Sequence, residues 1–125
     1  MKFSTVGLGV DDLERALEFY LEGLGFRVDS RPQKDLVYLA SGETRIALYP
    51  ATALAEYAGV APAPAGRVIL SLNVETCADV DEITDRGLDH GGNTLRPAGP
   101  MDWGGYASTL ADPDGHVWEI VCPGS

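Results

Sequence analysis

The residues best suited to chemistry stand near the C-terminus, in YASTLADPDGHVWEIV. An alternating apolar run meets the turn Asp112-Pro113-Asp114-Gly115, and the next run carries one carboxylate, Glu119, between Trp118 and Ile120. Successive strand side chains point to opposite faces, so Glu119 faces away from the side that Trp118 packs. A carboxylate so placed can ligate a metal or hold the cationic part of a ligand. It can also serve as a general base if burial raises its pKa, or be a structural group bonded to Thr5 or Asn73. His116 lies in the turn before this run and His90 beside Gly91-Gly92. Neither has ligand spacing, and both are expected to face solvent. Cys77 and Cys122 lack metal-type spacing and, with no export signal, read as reduced thiols of a cytoplasmic protein. No nucleophile or second acid–base group accompanies Glu119, so no catalytic residue is assigned.

The frame that must present these groups is written twice. In FSTVGLGV, Val6, Leu8 and Val10 share one face, while Thr5, Gly7 and Gly9 share the other. Asp11 with Glu14 predicts a capping box, and Leu13, Ala16, Leu17, Tyr20, Leu21 and Leu24 recur at helical spacing up to Gly23 and Gly25. FRVDSRP, LVYLAS and TRIALYP predict three strands, the last two joined at Gly42-Glu43. EYAGVAPAPAG reads as a linker of limited flexibility. The pattern then restarts. RVILSLNV sets Val68, Leu70, Leu72 and Val74 against Ile69, Ser71 and Asn73, and Thr76 with Asp79 starts a second helix that stops near Gly87 or Gly91-Gly92. NTLRP echoes DSRP, and GYASTLADPDGHVWEIV echoes LVYLASGETRIALY. The predicted fold is α+β. One domain, 1–125, contains two tandem βαβββ modules (about 1–52 and 66–123) joined by the Ala/Pro/Gly-rich linker, forming an open, curved mixed sheet around a cavity.

Composition narrows the function. With 125 residues, 45% apolar and 22% charged, the chain has the make-up of a single soluble globular domain. No apolar run is long enough to span a membrane, so no membrane partner is expected. A net charge of −10 leaves no basic stripe to neutralise phosphates, which argues against nucleic acid and is compatible with cationic ligands.

Set in this repeated frame, VGLGVDDLERALEFYLEGLGF and ADPDGHVWEIV resemble the vicinal oxygen chelate superfamily. That group includes glyoxalases, extradiol dioxygenases, fosfomycin-modifying enzymes and bleomycin-resistance binding proteins. The resemblance covers nearly the whole chain and is more specific for fold than for function. It implies that, in metal-dependent members, the first and last strands of each half aim a His, Glu or Gln at the cavity. The matching positions here are Thr5, Ile69, Ile46 or Ala47, and Glu119, of which only Glu119 is of ligand type. A catalytic divalent cation needs about three suitable protein ligands, so no metal or other cofactor is expected. The resemblance also implies a homodimer.

The cavity is therefore expected to be lined by Thr5, Gly7, Gly9, Ile69, Ser71, Asn73 and Glu119, with the glycines leaving room for a ligand or relieving close packing. In MDWGGY, Trp103 and Tyr106 flank two glycines. They either form a lid over a planar or cationic ligand or, for Trp103, cap the core. Tyr49 is a further candidate whose register stays open. The expected function is metal-independent binding of a small organic molecule, aromatic or cationic, such as an antibiotic. The alternative is a metal-dependent lyase, isomerase or dioxygenase with an atypical metal site through Glu119.

Overall fold

The doubled pattern folds as two four-stranded mixed sheets with helices packed against them. The computed structural model describes residues 1–65 and 67–123. In the first half, β1 (Thr5–Val10) is followed by α1 (Leu13–Leu17), β2 (Arg27–Gln33), β3 (Leu36–Ser41) and β4 (Thr44–Pro50). The second half runs β5 (Ile69–Asn73), α3 (Cys77–Asp89), β6 (Asn93–Pro100), β7 (Tyr106–Ala111) and β8 (Val117–Cys122). Strand order is β1-β4-β3-β2 in one sheet and β5-β8-β7-β6 in the other. In each sheet the first strand pairs in parallel with the last and the other pairings are antiparallel.

Helix starts follow local chemistry. The Thr76–Asp79 capping box is present at α3. At α1 the cap is Asp12 rather than Asp11, its carboxylate accepting from the Arg15 amide at 3.1 Å. The Asp11 amide instead donates to Asp114 at 2.9 Å. After Leu17 the helix widens into a π-helical turn over Glu18–Gly23. This wider winding lets the neighbours Phe19 and Tyr20 both be fully buried.

One helix overlaps the start of the expected linker. Ala51–Ala58 forms α2, which takes in Glu56–Ala58 of EYAGVAPAPAG and ends at Gly59 with φ of 77°. ATALAEYA has high intrinsic helix propensity. It follows Pro50 directly and has no side-chain cap, so the usual start signal is missing.

A single core joins the halves. Leu8, Val10, Val37, Leu39, Ile46 and Leu48 of the first sheet meet Leu17, Phe19, Tyr20 and Leu24, and these meet Val80, Leu110, Trp118 and Ile120 of the second half. The Asp-Pro-Asp-Gly turn is central to this join. Asp112 is fully buried, and its Oδ1 accepts from the amides of Asp114 (2.9 Å) and His116 (2.8 Å). Its Oδ2 accepts from the Tyr20 hydroxyl at 2.5 Å, and the Tyr20 hydroxyl oxygen in turn accepts from the Trp118 indole at 3.1 Å. Burial, and then the Asp112 charge, push the Tyr20 phenol far above its ordinary range. The turn motif is thus a strut between the halves. Neither histidine is simply solvent-facing. His116 is half-buried and donates from Nε2 to the Gly9 carbonyl at 2.7 Å, while His90 lies 3.8 Å from Glu18.

Candidate functional site

The strand registers define the faces turned away from the core. On the second sheet, Ser71 pairs with Glu119, Glu119 with Thr109, and Thr109 with Arg96, giving a polar row across all four strands. Ile69, Val117 and Ala111 form one flanking row, and Asn73, Val121, Ala107 and Gly99 the other. Ser71 donates to Glu119 Oε1 at 2.7 Å. Ser71, rather than Thr5 or Asn73, is therefore the partner of this carboxylate, and among the described residues Oε2 has no donor. Arg96 sits two strands away, roughly 10 Å by strand spacing. Alternation could not find it, because bulges on both sides of Arg96 break the two-residue period of β6.

On the first sheet the outward face carries Thr5, Gly7 and Gly9 of β1 with Arg45, Ala47 and Tyr49 of β4. The pairing Gly7–Ala47 matches Ser71–Glu119, so Ala47, not the core residue Ile46, is the counterpart of Glu119. Helix α2 rests on this face. A Cβ at Gly9 would lie 3.1 Å from the Ala51 Cα, and one at Gly7 would lie 3.4 Å from the Tyr49 ring and 3.5 Å from Leu54. Both glycines thus serve the approach of α2, whatever else they admit. Burial and a hydrogen bond with Tyr38 raise the Tyr49 phenol above its ordinary value, and Tyr38 also stacks under the Arg45 guanidinium at 4.2 Å.

The expected residues therefore fall into groups. Ile69, Ser71, Asn73 and Glu119 share one face, and Thr5, Gly7 and Tyr49 share another, with the common core between them. Among the described residues, the hollows that take in Gly9 and Tyr49 include none of Ile69, Ser71, Asn73 and Glu119. Tyr106 points inward from β7, its hydroxyl donating to Asp81 of α3 at 2.7 Å, so it is apart from Glu119. Trp103 is 59% exposed and folds over its own loop, where a Cβ at Gly105 would lie 2.0 Å from the indole. A hollow of about 450 Å³ lies between α2, the following segment and the Asp112–Gly115 turn, and Gly9 is the expected cavity residue that lines it. Leu54, Ala55, Val60, Asp114 and His116 are among its walls.

The donor set does not fit a divalent cation. Among the described residues no three His, Cys, Asp or Glu side chains converge. Glu119 has Ser71 and Thr109 as lateral neighbours and Ile69 and Val117 in the next row. What the face offers is a half-buried carboxylate with one free oxygen, hydroxyls beside it, an apolar surround and a guanidinium at the far edge. Such a surface can orient a donor or cationic group against an apolar body.

Comparison with known proteins agrees with this architecture. No curated protein matches the sequence. A glyoxalase-related enzyme from Fulvimarina pelagi is 32% identical, with 98% of this chain and 88% of that chain covered and a TM-score of 0.92. A hypothetical protein from S. aureus is 26% identical over 98% of this chain and 94% of its own, with a TM-score of 0.86. Lactoylglutathione lyase from Agrobacterium tumefaciens shares the fold at 21% identity, covering 96% of this chain and 92% of its own, with a TM-score of 0.73. The family model described as Glyoxalase/Bleomycin resistance protein/Dioxygenase superfamily matches residues 2–120. With nearly its whole length matched, this chain belongs to the glyoxalase/bleomycin resistance protein/dioxygenase superfamily.

Proposed function

We propose that this protein binds a small organic molecule, aromatic or cationic, without a metal, on the sheet face that carries Glu119. The observation that supports this most is the pairing of Glu119 with Ser71 on a face where, among the described residues, no His, Cys, Asp or second Glu stands beside it. A carboxylate with one satisfied and one free oxygen recognises an ammonium, amidine or hydroxyl donor, and the apolar rows receive a hydrophobic body. An antibiotic with a basic group has this chemistry. Homodimerisation completes the site in this reading. Thr5, Gly7 and Tyr49 face away from Ile69, Ser71 and Glu119 within one chain, and β1 and β5 are edge strands of their sheets. A second copy can bring one chain's first-sheet face to the other's second-sheet face.

Calorimetry with cationic glycopeptide and polycyclic aromatic antibiotics tests the binding, and light scattering tests the assembly. Binding tighter than millimolar by a particle of twice the chain mass is expected. A monomer that binds none of them contradicts the proposal. The enzymatic reading, a lyase, isomerase or dioxygenase with an atypical metal site, draws on the Fulvimarina pelagi relative being a glyoxalase-related enzyme. Stoichiometric zinc, nickel, iron or manganese held through Glu119 in protein purified without chelator would favour that reading instead.

A further inference from the structure

Cys77 and Cys122 are far apart in sequence, yet the fold sets them side by side. The amide of Val74, just past β5, donates to the Val121 carbonyl at 2.8 Å, so the segment leaving β5 runs beside the end of β8. The thiol of Cys122 donates to the Glu75 carbonyl at 3.2 Å, two residues before Cys77 opens α3. Cys77 is exposed and Cys122 buried, and both line one hollow of about 320 Å³ with Pro100, Gly104, Gly105 and Tyr106. Burial first, then the charge and hydrogen bond of Cys77, raise the Cys122 thiol above its ordinary range. The second thiol is thus held protonated next to the first.

We propose that Cys77 and Cys122 form a redox-active dithiol that closes to an intramolecular disulfide on reaction with low-molecular-weight disulfides. The exposed Cys77, as thiolate, attacks one sulfur of the oxidant, whose S–S bond breaks and releases one thiolate that takes up a proton. Cys122 then gives its proton to solvent and attacks the Cys77 sulfur of the mixed disulfide, expelling the second small thiol. The protein loses two protons and two electrons in all, and the oxidant takes up the same number to become two thiols. Because β8 carries both Cys122 and Glu119, closure fastens the strand of the candidate site to the first turn of α3.

The test exposes the full chain to oxidised glutathione and follows intact mass and non-reducing peptide maps. Wild type is expected to lose two hydrogens, to yield a peptide pair joining Cys77 to Cys122, and to retain no glutathione. Cys122→Ser should stop at a stable glutathione adduct on Cys77. Cys77→Ser should lose nearly all reaction, with circular dichroism confirming that each variant is folded. Persistence of the Cys77 adduct in wild type, or cross-links only between chains, overturns the proposal, and the wild-type result decides this even if a variant fails to fold. Ligand binding by the reduced protein is independent of this outcome.

Discussion

Replacing Tyr20 by Phe removes one oxygen that ties the two halves together. The hydroxyl donates to buried Asp112 at 2.5 Å and accepts from the Trp118 indole at 3.1 Å. A hydrogen bond to a charged group contributes about 1.5–3 kcal/mol, and a buried donor left unpaired costs about 1–3 kcal/mol. Asp112 keeps its two amide donors on Oδ1, so the loss falls mainly on Oδ2 and the indole. Together these give about 3 kcal/mol, a large share of the roughly 5–15 kcal/mol that stabilises an ordinary domain. The assay is urea unfolding followed by circular dichroism, with linear extrapolation to water. A pH series sharpens it. The folded-state phenol is raised above its ordinary 10.0, so the folded chain keeps a proton that the unfolded chain releases near that pH. The stabilisation is therefore complete below pH 10 and declines as pH climbs beyond it, by about 1.4 kcal/mol per unit from this group. Tyr20→Phe should show a shallower alkaline decline. A cost below about 1 kcal/mol, or an unchanged alkaline slope, would refute the idea that this oxygen holds the halves together.

Gly92→Ala places a Cβ 2.7 Å from Phe19, 2.8 Å from the Gly87 carbonyl and 3.1 Å from that of Ala111. Backbone on two sides cannot yield, so thermal denaturation should register a loss of about 2 kcal/mol. Gly9→Val drives a side chain into Ala51 of α2, and hydrogen exchange across Ala51–Ala58 should quicken while α3 stays protected. Gly105→Ala must displace the Trp103 indole and also presses on the Cys122 carbonyl at 3.0 Å, so tryptophan emission should shift and stability should fall. If that indole closes over the ligand, affinity falls as well.

The alternation of FSTVGLGV and RVILSLNV, the Thr76 cap and the paired strand–turn–strand endings were legible because local physics decides them. The repeated pattern carries the fold, and strand alternation alone puts Glu119 on the face opposite Trp118. Three things were not legible, each for a physical reason. Helix α2 starts from Pro50 without a polar cap, so its Ala-rich segment looked like linker. Arg96 joins the polar row only because the β6 bulges shift the register. The grouping of site residues on two opposed faces depends on how the halves pack through Phe19, Tyr20 and Trp118, and no local pattern encodes that. The Asp112 turn is a related case. Its residues brace the two halves through Tyr20 and Trp118, a role that follows from packing and not from the turn sequence itself.

The central claim, recognition through Glu119 without a metal, is tested most directly by calorimetric titration of chelator-treated protein beside its Glu119→Gln variant. The account expects undiminished binding after chelation. It expects about tenfold weaker binding in the variant, the effect of losing one charge-assisted hydrogen bond of about 1.5 kcal/mol. Binding that appears only when a divalent cation is restored contradicts it. So does equal affinity in the two proteins, which would direct attention to the hollow beneath α2 instead.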